Sequence, residues 1–247
     1  MASLTAIQAY CTELLNPADY DDYCPNGLQV EACTEVQRLV SGVTASLALI
    51  EAAAAQQADA ILVHHGYFWK GEPSPLIGMK GRRIQHLMRF GISLLAYHLP
   101  LDGHPTLGNN ACLGQRLGLN GQPITPGSLI WGAELAKPIT TEALAERVEH
   151  QLQRVPMVID CQKPIKRVAW CTGGAQGYIV QAAAAGYDAY ISGEISEQTQ
   201  HQAQELGISY IAAGHHATER YGVQALGEQL AKQFGIEHIP IDIENPA

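Results

Sequence analysis

Along the chain, short β-branched apolar runs alternate with longer stretches of helix-forming residues. Residues 38–44 (RLVSGVT) read as a strand. SLALIEAAAAQQ (46–57) is a run of strong helix formers opened by a serine that can cap it. DAILVH (59–64) is apolar and strand-like again. This rhythm predicts an α/β fold with a largely parallel sheet. The N-terminal MASLTAIQAYCTELL reads as an amphipathic helix, not a signal peptide, because no Lys or Arg precedes its apolar positions. TTEALAERVEHQL (140–152) reads as another, with a Thr cap and Glu142 in its first turn.

The pattern occurs twice. RLVSGVTASLALIEAAAAQQADAILVHHG, from Arg38, aligns without a gap with RVAWCTGGAQGYIVQAAAAGYDAYISGE, from Arg167. Ala53, Ala54 and Ala55 fall opposite Ala182, Ala183 and Ala184, and Asp59 falls opposite Asp188. His64 and His65 then face Gly193 and Glu194. Further on, GISLLAYHLPLDG (91–103) matches GISYIAAGHHATE (207–219), and CLGQRLGL (112–119) resembles ALGEQLAKQFGI (225–236). Three matched segments in one order predict an internal duplication. The expected organisation is two related α/β lobes, residues 1–122 and 123–247, with the C-terminal segment packing back on the first. The stretch 120–165, with its Pro/Gly-rich GQPITPGS, is expected to elaborate the second lobe.

Ligands of open α/β sheets collect beyond the carboxyl ends of the strands. His64, His65, His98, Asp102, Glu194, His215 and Glu219 all follow predicted strands, and both lobes contribute. Two lobes facing each other across these ends would share one site. Adjacent His64 and His65 should diverge, offering one ligand to each of two metals. If residue 215 opens a helix, His215 and Glu219 lie one turn apart as a chelating pair. Asp102 can bridge two ions, as neutral imidazole cannot. His64, His65, Asp102, His215 and Glu219 therefore predict a centre for two divalent transition-metal ions, and mixed nitrogen and oxygen ligation suits zinc, iron, manganese or nickel. His86, His150 and His238 read as solvated, whereas His104 stays open. CTGGAQG (171–177) reads as a tight strand-to-helix turn, with a phosphate cradle as its functional alternative. KGRR (80–83) reads as a solvated helix start.

Composition narrows the class. The 247 residues are 47% apolar and 16% charged, an ordinary globular balance. The net charge of −9 argues against generic nucleic-acid binding. No apolar run reaches the roughly 18 residues that a membrane helix needs. The six cysteines form no CxxC. Reduced, mostly buried thiols in a cytoplasmic protein are the expectation.

ILVHHG, YHLPLDG and GHHATER resemble motifs of the GTP cyclohydrolase I type 2 homologues, the NGG-interacting-factor-like proteins, in their bacterial form. The resemblance covers nearly the whole chain, including NGLQV and YDAYISGE. It implies two α/β lobes with a dinuclear metal centre between them and a ring-shaped homohexamer whose sites face an inner cavity. It places the metal ligands on His64, His65, Asp102, His215 and Glu219. His98, Glu194 and His201 fall where the family often carries polar groups around the cleft, and each is a candidate proton shuttle. The chain departs from the family at YDDYCPNGL, where Trp-Asp-Asn is common, and at SGE followed by EQTQH. These departures bear on the substrate pocket more than on the metals. A metal pair suits hydrolysis of an anionic, nucleotide-like substrate, and the family name implies a cyclohydrolase. The alternative is a non-catalytic metal-binding or regulatory scaffold in a stress or repair assembly.

Overall fold

The computed structural model describes residues 1–247. The chain divides into two compact units, one of residues 1–101 with 222–244 and one of residues 102–221 with 245–247.

The first unit opens with β1 (Ala2–Ser3) and α1 (Leu4–Leu15), the amphipathic N-terminal helix, whose start is capped by the Ser3 side chain. Strands β2 (Gly27–Val30), β3 (Glu35–Val36) and β4 (Arg38–Thr44) follow. Helix α2 (Leu47–Ala55) is capped by Ser46, whose hydroxyl accepts from Leu49 N–H at 3.2 Å. Strand β5 (Ala60–His65), helix α3 (Gly78–Phe90) and strand β6 (Ser93–Ala96) complete this stretch.

The second unit takes α4 (Leu99–Gly103) from Asp102 onward, then α5 (Asn109–Arg116), β7 (Gln122–Pro123), β8 (Trp131–Ile139), α6 (Thr141–Leu152), β9 (Met157–Ile159) and β10 (Ile165–Trp170). Helix α7 (Ile179–Ala184), β11 (Ala189–Ser192), α8 (Glu197–Leu206) and β12 (Ser209–Ala212) follow. Helix α9 (His215–Phe234) begins in the second unit and ends in the first, where β13 (Glu237–Pro240) joins the sheet.

The two sheets share a plan. In the first, β13, β4, β5 and β6 run parallel and β2 lies antiparallel on β6, in the order β13-β4-β5-β6-β2. In the second, β10, β11 and β12 run parallel, with β8 and β9 antiparallel on either side. The stretch 120–165 thus supplies strands at both edges of the second sheet.

Hydrogen bonds repeat with the alignment. The Asp59 carboxylate accepts the N–H groups of Gln37 and Arg38. The Asp188 carboxylate accepts those of Lys166 and Arg167. The Arg38 guanidinium donates to Gln56 O, and that of Arg167 donates to Ala185 O, the matching position. The Ser93 hydroxyl accepts from Cys33 N–H, and the Ser209 hydroxyl accepts from Cys161 N–H. Each half thus clamps the start of its central strands by one carboxylate and one serine.

The helices that end the two repeats are exchanged. In α5 and just after it, Ala111, Leu113, Leu117 and Leu119 sit in the core of the second unit with Trp131, Val168 and Trp170. In α9, Val223, Leu226 and Leu230 sit in the core of the first with Leu4, Ile7, Leu39 and Leu62. Chain order puts Asp102 in the first lobe. In the structure it groups with the second unit, because its partners Asn109 and Thr172 lie there. No helix is long and apolar enough to cross a membrane.

Candidate metal centre

In the first unit, β5 ends on His64 and His65. His64 is fully buried. Its Nδ1–H donates to Tyr97 O at 2.9 Å, because a carbonyl can only accept. The lone pair therefore sits on Nε2. The His65 Nδ1 lies 3.1 Å from the Thr44 hydroxyl. The two rings do not diverge as the strand period suggests; their centroids are 4.6 Å apart. Thr44–His65 is the last pair of the ladder, and side chains at a strand end can lean along the strand. His98, just beyond β6, joins them, and ligand atoms of His64, His65 and His98 lie within 4.8 Å of one another.

His98 is held by residues that the sequence did not single out. Its Nδ1 donates to Asp22 Oδ1 at 2.8 Å, and its backbone N–H donates to Asn26 Oδ1 at 2.7 Å. Asp22 also accepts from Tyr23 N–H, Leu99 N–H and the Asn26 amide. Burial works against the Asp22 charge, but the bonds from His98, Asn26 and Leu99 outweigh it and hold the carboxyl well below the usual range. The DYCPN stretch carried a signal in its clustered Asp, Pro and Asn, residues that build tight turns by bonding nearby backbone.

In the second unit, His215 opens α9 as expected. Its Nε2 lies 3.0 Å from Glu219 Oε2 across one helical turn, and its Nδ1 donates to Glu194 Oε1 at 2.7 Å. Burial opposes the imidazolium, yet Glu219 and Glu194 together push His215 up to about 9. Two carboxylates thus already gather positive charge at this ring. Glu219 and Asp102 are both buried. Asp102 sits in the short helix α4, with Pro100 in its first turn. Its Oδ1 accepts from the Asn109 amide at 2.9 Å and from the Thr172 hydroxyl at 3.2 Å. Asp102 and Glu219 also act on Cys171, whose thiol is pushed well above its usual range, first by burial and then by these two charges.

The CTGGAQG loop packs beside the carboxylates, and three of its N–H groups are committed within the protein. Thr172 N–H donates to Asn110 Oδ1, Gly173 N–H to the Thr218 hydroxyl and Ala175 N–H to Gly173 O. A methyl group on Gly173 would overlap Glu219 Oε1, so only glycine lets the carboxylate rest there. Glu194 is exposed, and its Oε2 accepts from the Gln176 amide at 3.4 Å. His201 is exposed on α8 and faces Glu197 at 3.5 Å. His238 is not solvated, because its Nε2 lies 2.8 Å from the Ser41 hydroxyl and its ring packs on Gly227.

The donor types in each unit, imidazole nitrogens and carboxylate oxygens, suit divalent transition metals. His64 and His215 have Nδ1 committed to an oxygen acceptor, and His65 has Nδ1 beside a hydroxyl, as metal-binding imidazoles usually do. At His64 the carbonyl acceptor fixes the tautomer and makes Nε2 the ligand atom. In the second unit, Asp102 and Glu219 offer buried carboxylate oxygens.

Known proteins share this whole chain. The "GTP cyclohydrolase 1 type 2 homolog" of Allochromatium vinosum is 56% identical, over 100% of this chain and 98% of its own. That of Pseudomonas aeruginosa is 56% identical over 99% of both. Among solved structures, protein ybgI, described as of unknown function, has a TM-score of 0.95 at 48% identity, over 99% of this chain and 100% of its own. TTHA1606 from Thermus thermophilus has a TM-score of 0.91 at 30% identity, with the same coverage. The family profile for Duf34/NIF3 (NGG1p interacting factor 3) matches residues 2–246, and the chain belongs to that family.

Proposed function

We propose that the chain binds two divalent transition-metal ions through His64, His65, Asp102, His215 and Glu219, and that it is a metal-dependent hydrolase of an anionic, nucleotide-like substrate. The observation that carries this reading is the imidazoles of His64, His65 and His215, each with Nδ1 beside an oxygen, together with two buried carboxylates. Divalent ions held there would supply Lewis acidity toward water and toward a substrate oxygen. The chain's own groups handle protons. His98, with Nδ1 fixed by Asp22, keeps Nε2 for accepting one, in the manner of a carboxylate-oriented general base. Glu194 is the second relay group, since it joins His215 to solvent. The relatives' shared name includes GTP cyclohydrolase, which favours a nucleotide among anionic substrates.

A closed homo-oligomer, a hexamer by family resemblance, is part of the proposal. Light scattering giving a monomer mass at micromolar concentration would refute it. A screen of metal-loaded protein against nucleotides, phosphoesters and cyclic amides tests the chemistry. Hydrolysis of one class supports the reading. Absence of turnover at every pH in a protein holding two ions replaces it with the non-catalytic scaffold.

A further inference from the structure

We propose that Tyr23 and Trp69 form a stacking platform for the planar heteroaromatic ring of an anionic ligand, next to His65 and His98. This deepens the reading of the metal centre and rests on it. Tyr23 and Trp69 have ring centroids 5.5 Å apart. Each meets the His98 ring nearly at right angles at 5.0 Å, and Trp69 lies 6.1 Å from His65. Tyr23 nevertheless leaves 54% of its surface exposed, and Trp69 is only partly buried. Large rings anchored on the imidazoles and open to solvent do not serve the core.

The backbone around them is built to keep them there. After His65 the chain passes Gly66, where an added Cβ would strike Gln29 Oε1. It then turns back through Phe68, whose φ of +66° is a strained value for an aromatic residue. The turn lets the Trp69 indole N–H donate to Gly66 O at 3.2 Å. Gln29 staples this loop to the preceding one, since its amide accepts from Tyr67 N–H and donates to Tyr67 O and Pro25 O. Lys70 N–H donates to Tyr23 O at 2.7 Å, tying the two aromatic residues together through the backbone. The exposed Lys70 side chain, next to Trp69, supplies positive charge for an anionic group. Aromatic platforms of this kind hold bases by their π-faces, whatever the base.

The experiment measures binding of AMP and of ribose 5-phosphate, which lacks the ring, to the full metal-loaded chain. Calorimetry gives Kd, and tryptophan quenching reports on Trp69, because Trp131 and Trp170 are buried. AMP should bind about tenfold tighter or more, the size of one base-stacking contact. W69A and Y23A should bring AMP down to the level of ribose 5-phosphate, W69F should retain most of the preference, and metal content should stay the same in all. Equal Kd values for the two ligands, or AMP binding unchanged in W69A, would overturn the proposal. So would a change in assembled mass of W69A with AMP binding intact, since the rings would then be a contact between copies. A ring preference that persists in protein unable to hold metal would sustain the platform while removing the metal reading.

Discussion

Gly173 and Glu219 show how closely single residues bear on the proposed centre. Alanine at 173 would overlap the carboxylate oxygen and would also sit at a φ of +67°, costing about 1–2 kcal/mol of stability. G173A is therefore expected to lose metal affinity by tenfold or more although every proposed ligand is intact. E219Q should lose at least as much, and H216A little, because Glu219 and not His216 pairs with His215. Calorimetric titration of folded variants decides it, and a G173A protein that binds two ions normally would show that Glu219 need not occupy its present place. Proton transfer is tested at the same scale. H98A should keep metal yet lower kcat by about a hundredfold on a confirmed substrate. D22N should move the pH profile of kcat with a smaller loss, because Asp22 acts through His98. H201A, exposed beside Glu197, should leave both unchanged. Equal effects of H98A and H201A would remove His98 from this role.

At the scale of elements, the repeated aspartates make a symmetric prediction. Asp59 and Asp188 each accept two backbone N–H groups at the start of a central strand. D59A and D188A should each destabilise the unit that contains it by about 2–3 kcal/mol, measured by urea unfolding. A cost at only one position would mean that the duplicated geometry is not duplicated in energy. These aspartates were legible in the sequence because the alignment has no gap. The capped helices α2 and α6 were legible too, since a cap is a local property read from Ser46 and Thr140. The exchanged end helices were not. CLGQRLGL and ALGEQLAKQFGI have similar apolar faces, and such a face does not state which core it enters. Asp22 and Asn26 were missed for a related reason. Their role depends on bonds to His98, more than 70 residues away, which no local pattern encodes. The convergence of His64 and His65 was missed because the strand period fixes where Cα–Cβ bonds point, not where long rings end.

For the whole molecule, pH bears on stability through buried histidine. His238 is held neutral, because burial outweighs the nearby Glu228 and lowers its pKa. A depressed histidine contributes stability that is present above its unfolded pKa of about 6.5 and is lost as pH falls through the folded value. H238Q should therefore flatten the fall in urea midpoint between pH 7.5 and pH 5, and an unchanged slope would deny His238 that role. Bound metal adds stability only if it prefers the folded chain, so the melting temperature should rise with free metal concentration. The most direct test of the central claim is elemental analysis of natively purified protein, followed by titration with zinc, iron, manganese and nickel. The account predicts up to two ions per chain, with occupancy falling in E219Q. A chain that arrives metal-free and takes up none of these ions would contradict it.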